Sequence, residues 1–153
     1  MKRLLVFAAV VVITVMYSGV LLAQSDPFVG TWKINRAKSK YTSGEPAKAG
    51  TMITIQRMGD QEQLTSTMPD GSPLKYEVPD KGGVGKFIAG PYDGVSEKRT
   101  DDNTRDITWM KGGKEMLHFH AVVSKDGKTM RITSKGTNAQ GTPVSGVAVW
   151  EKQ

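Results

Sequence analysis

Phe28-Val29-Gly30-Thr31-Trp32-Lys33 is the stretch on which the reading of this chain turns. A glycine two residues before a tryptophan, among residues that favour extended backbone, reads as a first strand carrying one large apolar side chain inward. Upstream of it, Lys2 and Arg3 precede a run from Leu4 to Ala23 relieved only by Thr14, Ser18 and Gly19. A basic start, an apolar middle and a polar exit at Gln24-Ser25-Asp26-Pro27 form the layout of a secretory signal peptide. Cleavage is expected after Ala23 or after Ser25; the second leaves Ala23-Gln24-Ser25 as a small-x-small site. Left uncleaved, the same run is long enough to span a bilayer and would anchor the chain. Residues 1–23 are therefore read as signal and residues 24–153 as one domain, exported to the periplasm or the extracellular space. No cysteine follows the segment, which excludes lipid attachment at one.

The remaining chain of about 130 residues suits a single core of ordinary size. The formal charge of +6 falls to about +4 once Lys2 and Arg3 are removed. The basic residues are scattered among acidic ones, with no basic stripe interleaved with aromatics, so a nucleic-acid partner is not expected. With no cysteine there is no disulfide, thiol nucleophile or thiolate metal site.

Beyond Asp26, turn signals recur at intervals of roughly 8 to 14 residues, as in an antiparallel meander. They include Gly59-Asp60, Asp70-Gly71, Gly82-Gly83, Asp93-Gly94, Gly112-Gly113 and Asp126-Gly127. Between them, the segments alternate in places with period two. Leu74, Tyr76 and Val78 alternate with Lys75 and Glu77; Leu117, Phe119, Ala121 and Val123 alternate with His118 and His120. Strands are predicted at 29–34, 51–58, 62–68, 73–78, 84–89, 95–100, 104–110, 115–124, 128–136 and 144–152. Arg36 to Gly50, rich in Lys, Ser, Gly and Pro, reads as a loop with room for one helical turn. The fold class is all-β: an antiparallel up-and-down β-barrel of 8–10 strands behind an N-terminal hydrophobic signal helix. Closure removes exposed strand edges; a two-sheet sandwich is the competing architecture.

The opening Phe28 to Lys33 resembles the first strand of lipocalins and of the cytosolic fatty-acid-binding proteins. The ending Val147-Ala148-Val149-Trp150-Glu151-Lys152 is similar to the closing strand of the latter. More closely, the chain resembles small exported bacterial lipocalin-like (calycin-type) proteins of unassigned activity. The likeness rests on Gly30-Thr31-Trp32-Lys33, Asn35, Ala37-Lys38-Ser39-Lys40, the Ser124–Thr129 hairpin and Lys135–Gly141. This resemblance implies a lipocalin-like barrel with Trp32 at its floor. Fatty-acid-binding proteins carry an Arg-x-Tyr on the last strand that clamps the ligand carboxylate. The positions here are Ala148 and Trp150, so the clamp is missing. The two-helix lid of that family has no counterpart in Arg36 to Gly50, and the lipocalin Thr-Asp-Tyr motif is absent. Fold is thus implied more firmly than ligand.

Ile107, Trp109, Leu117, Phe119, Met130, Ile132, Ala148 and Trp150 are expected to line one interior. In an open barrel they would hold a small apolar or amphipathic molecule, without catalysis and without a cofactor. In a closed-packed barrel they would only fill the core, and the chain would be a structural or interaction protein of the envelope. His118 and His120 project from one strand face with Met116, and could begin a metal site if a neighbouring strand added a ligand. The alternative is an exposed pair, because Leu117 and Phe119 on the other face read as core. Gly82-Gly83-Val84-Gly85-Lys86 fails as a phosphate loop: Asp80 stands where a glycine is required, and Phe87 where Ser or Thr is required. Asp101, Asp102 and Asp106, with Arg99 and Arg105, read as solvated charge around a turn. No Gly-x-Ser-x-Gly elbow occurs.

Overall fold

A computed structural model describes residues 26–153. The predicted signal segment, its cleavage site and the anchored alternative lie outside the described residues. Eleven strands follow one another: β1 Gly30–Ile34, β2 Lys40–Ser43, β3 Met52–Met58, β4 Gln61–Thr67, β5 Pro73–Pro79 and β6 Gly83–Ala89. Then come β7 Gly94–Asp101, β8 Thr104–Lys111, β9 Lys114–Val123, β10 Thr129–Thr137 and β11 Pro143–Lys152. Each strand from β3 to β11 pairs antiparallel with the next, and β1 pairs with both β3 and β11. That last pairing, with Trp32 facing Ile53 on one side and Lys152 on the other, closes the sheet. The result is an antiparallel barrel, not a sandwich.

β1 and β2 share one place in the wall. β1 lies along Trp150–Lys152 of β11 and β2 along Ser145–Val147 of the same strand. Counted this way the barrel has ten staves, the first of them broken. The break is a 3₁₀ turn over Arg36–Lys38, capped by the Asn35 side chain, which accepts from Lys38 N–H at 3.0 Å. Ser39 Oγ donates to the Asn35 carbonyl at 2.7 Å and accepts from Val149 N–H at 2.9 Å. The turn is thus stitched to β11, and the backbone can resume as a strand. This corrects the expectation of a loop from Arg36 to Gly50. Four residues with a polar composition carry no period-two signal, and only their pairing to β11 reveals them.

The barrel has two unlike ends. Tight turns at 59–60, 102–103 and 124–128, with residues 26–29, stand at one; the hairpin tips at 68–72, 112–113 and 138–142 stand at the other. At the first end Trp32 is wholly buried, and its Nε1–H donates to the Phe28 carbonyl at 2.8 Å. Phe28, 1% exposed, packs beside it. Together they floor the barrel and are continuous with a core that includes Ile34, Ile53, Val78, Val95, Val123 and Met130. Two glycines let walls approach closely. A Cβ on Gly85 would lie 2.0 Å from the Glu77 carbonyl oxygen, and one on Gly136 would lie 2.1 Å from that of Met116. Gly85 of the rejected phosphate motif is therefore a packing glycine within β6.

Candidate functional site: the open end of the barrel

Between the floor and the second set of hairpins lies a cavity of about 530 Å³. The lumen is therefore not closed-packed. Its deeper wall is apolar: Ile53 of β3, Leu64 of β4, Ile107 and Trp109 of β8, Leu117 and Phe119 of β9. Ile132 of β10 with Ala148 and Trp150 of β11 complete the circuit. These side chains face inward because strand residues two apart share a face. On β9 the outward partners His118 and His120 are exposed, as the alternation requires.

Trp109 is the hub of the aromatic wall. Its ring lies 4.6 Å from Phe119, 5.0 Å from Tyr92, 5.4 Å from Phe87 and 6.1 Å from Tyr76, measured between centroids. Tilted and edge-on pairs of this kind fix one another's orientation and stiffen that side of the cavity. Burial pushes the Tyr76 hydroxyl well above its usual range, with the Glu97 carboxylate adding to the effect, so it stays protonated.

The rim is polar. It is built from Glu45 and Thr51 of the β2–β3 connection, Asp70 of the β4–β5 turn, and Asn138, Gln140 and Thr142 of the β10–β11 turn. Two of these residues shape their own turns. Asp70 Oδ1 accepts from Ser72 N–H at 2.8 Å and from Ser72 Oγ at 2.6 Å. Asn138 Oδ1 accepts from Gln140 N–H at 3.0 Å and Thr142 N–H at 2.8 Å. The Ser72 hydrogen bonds hold the Asp70 carboxyl below its ordinary range.

Seven of the eight residues predicted to line an interior border this cavity: Ile107, Trp109, Leu117, Phe119, Ile132, Ala148 and Trp150. Met130 does not. It is 1% exposed and packs in the core below, opposite Trp150 and Val123, where the barrel is already full. Trp32 lies at the floor, away from the cavity wall. Several wall positions had escaped sequence reasoning, among them Ile53, Tyr41, Tyr92, Leu64 and Ser66. Tyr41 lay inside the supposed loop, and Tyr92 sits in a turn with no period to read. Leu64 and Ser66 follow the inward-facing Glu62 on β4, so that strand mixes charge, carbon and hydroxyl on one face.

That Glu62 belongs to a second buried cluster, at the closed end. Glu62, Glu97 and Arg105 are each under a tenth exposed. Arg105 donates through Nη1 to Glu62 Oε2 at 2.7 Å and through Nη2 to Asp26 Oδ1 at 3.0 Å. Arg99 Nη2 donates to Glu62 Oε1 at 2.6 Å. The Arg105 guanidinium also lies 3.9 Å from the centre of the Phe28 ring. Burial raises the Glu62 and Glu97 carboxyls above their usual values, outweighing the arginines. Burial works the same way on Asp26, but there Arg105, the Phe28 N–H and Arg99 outweigh it and hold the group low. The expectation of solvated charge is thus corrected for Arg99 and Arg105. Both point into the barrel, and an interior arginine cannot be told from a surface one by spacing.

His120 Nδ1 lies 2.7 Å from Asp106 Oδ1, and His118 Nδ1 lies 3.2 Å from Thr108 Oγ1, both on the outer face. Among the described residues no group of three or more His, Cys, Asp or Glu side chains is arranged to hold a metal ion. Nor is there any helix long and apolar enough to cross a membrane.

No family model matches this sequence, and no curated protein matches it by sequence. Solved structures do share its fold. A Schistosoma mansoni fatty acid binding protein in complex with arachidonic acid superposes with a TM-score of 0.53 at 13% identity, over 83% of this chain and 96% of that one. A zebrafish ileal bile acid-binding protein complexed with cholic acid does so with a TM-score of 0.51 at 16% identity, over 83% of this chain and 99% of that one. The chain therefore has the fold of these proteins, an antiparallel closed barrel of ten staves.

Proposed function

We propose that this chain is an exported binding protein that holds a small apolar or amphipathic molecule inside its barrel and performs no chemistry on it. The observation that carries this reading is the cavity of about 530 Å³, walled by carbon and open at a polar rim. Small-molecule sites combine such walls with a few polar groups that orient the ligand. The two solved barrels of the same fold, one with arachidonic acid and the other with cholic acid, add weight to it. A ligand filling the cavity would gain roughly 25 cal/mol for each Å² of carbon taken from water, less the cost of losing its own freedom. Both histidines stand outside the barrel, so neither imidazole faces Ser66 or Ser134 in the wall. Export rests on the basic, apolar and polar succession of residues 1–26.

Titration with the uncharged dye Nile red tests the reading. Saturable uptake near one dye per chain is expected, with Phe119→Ala and Trp109→Ala each weakening it about tenfold, the equivalent of ~1.4 kcal/mol. Absence of saturable uptake by the folded wild type would replace the carrier with an envelope structural protein.

A further inference from the structure

We infer that the ligand's buried part is uncharged: the cavity takes a neutral amphiphile with hydrogen-bond-accepting oxygen and discriminates against carboxylates. This rests on the carrier reading above and narrows it. Three observations point the same way.

The cavity wall contains, among the described residues, no Lys, Arg or His. Its only ionisable acids are Glu45 and Asp70 at the rim, and the Ser72 hydrogen bonds keep Asp70 in its charged form. Lys48 stands near enough to Asp70 to favour that charge but forms no part of the wall. Entering tail-first, an anion would leave its charge at the rim beside two carboxylates, which repel it. Entering head-first, it would carry that charge past them to carbon, hydroxyls and indole N–H, where a buried charge without a counter-ion is costly.

The interior does own two arginines, but they are taken. Arg99 and Arg105 are shared among Asp26, Glu62 and Glu97, three carboxylates for two guanidinium groups. The exposed Arg57 joins from outside, where Asp80 also faces it. A ligand carboxylate reaching down the lumen would have to displace Glu62 from contacts of 2.6 and 2.7 Å, beside a cluster already rich in acid.

The hydrogen-bonding capacity left over in the wall includes a pure donor. Trp150 Nε1–H has no partner among the described residues, and Trp150 is 5% exposed. An indole N–H can only donate, so it calls for an accepting oxygen, which an alcohol, ether or carbonyl supplies without charge; a lone neutral donor is no counter-ion for a buried carboxylate. The Tyr41 hydroxyl, also in the wall, is likewise without a partner.

The test is displacement of bound Nile red from the wild-type protein at pH 8 by three twelve-carbon chains that differ only in the head: dodecanol, dodecanoate and dodecyltrimethylammonium. Dodecanol is expected to displace at a concentration at least tenfold below that of either ion. Lowering the pH to 4, where dodecanoic acid gains its proton, should bring its curve towards that of the alcohol. Ala148→Arg, which adds a guanidinium to the wall, should narrow the gap between alcohol and carboxylate; Val144→Arg, nearer the rim, serves if the first fails to fold. Dodecanoate displacing as well as dodecanol at pH 8 would overturn neutral-head selection and leave the carrier intact. So would a preference for the ammonium, or a gap that neither folded arginine variant narrows. Nile red failing to bind at all would sink carrier and selection together.

Discussion

On β8, Arg105 faces the closed end of the lumen, Ile107 the middle and Trp109 the cavity. On β4 the same succession runs Glu62, Leu64, Ser66. Two ends of one barrel are thus written in a single alternating pattern, yet they solve burial differently. The closed end neutralises its charges on one another and roofs them with Phe28 and Trp32. The open end confines charge to its rim and leaves space. A sealed ionic plug resists deformation because each member is held by several partners. A carbon-walled void has no such lock, and its unfilled volume weakens the packing of its own lining. Stability should therefore be concentrated at the floor, and binding at the mouth.

The most severe way to break that division is Arg105→Ala. It would strand Glu62, Glu97 and Asp26 around one remaining interior arginine. Removing one partner of a buried pair leaves uncompensated charge and costs about 3–5 kcal/mol. Denaturant unfolding followed by circular dichroism at pH 7 should report a loss of that size. A loss below about 1 kcal/mol would mean that the plug is not what holds the closed end together.

Glu97→Gln sharpens the comparison with a smaller effect. Glu97 is the weakest-held of the three acids: its nearest guanidinium nitrogens lie 3.3 and 3.6 Å away, and its Oε1 has no hydrogen-bond partner. Burial raises its carboxyl above the ordinary value, so the folded state holds that proton longer than the unfolded chain does. The sign follows. The stabilisation is fully present below the unfolded value of 4.5 and is lost as pH climbs through the raised folded value. Wild-type stability should sag over that window, whereas the Gln variant, having no proton to release there, should sag less. At pH 7 the variant should lie within about 1 kcal/mol of wild type, on the stabilising side if the third carboxylate is surplus. A curve as steep in the variant as in wild type would assign the proton to Glu62, whose carboxyl is raised as well.

The asymmetry also explains what could be read from residues alone. Turn signals and alternation together located the ten long strands, because turn residues mark the hairpins and, where it is present, hydrophobic periodicity follows from the pleat. Alternation found Ile107, Trp109, Phe119 and Trp150, which are carbon on a consistent face. It failed where the inner face is polar, since Arg105 and Glu62 look like outward residues until a partner from another strand is placed beside them. It failed again at Tyr41, whose strand exists only through its pairing with β11, and at Met130, whose depth along the barrel no local pattern encodes. Periodicity states which face a residue occupies. Height along the axis, which separates plug from cavity, is a property of register.

The smallest expected effect lies on the outer wall, and it tests whether function is confined to the lumen. His120 and Asp106 are paired at 2.7 Å, but each side chain is 53% exposed. Water and salt screen such a pair, and exposed ion pairs are worth about 0–1 kcal/mol. His120→Ala should shift unfolding by no more than that and leave Nile red affinity unchanged, because β9 turns this side chain away from Leu117 and Phe119. The same surface carries the metal alternative. His118 has Glu115 at 3.7 Å, and a strand pair of imidazoles needs a third ligand to hold zinc firmly. Untagged protein dialysed against zinc should retain well under one ion per chain. Retention near one, abolished by His120→Ala, would move the functional site to the outside of the barrel and leave the cavity as a packing defect.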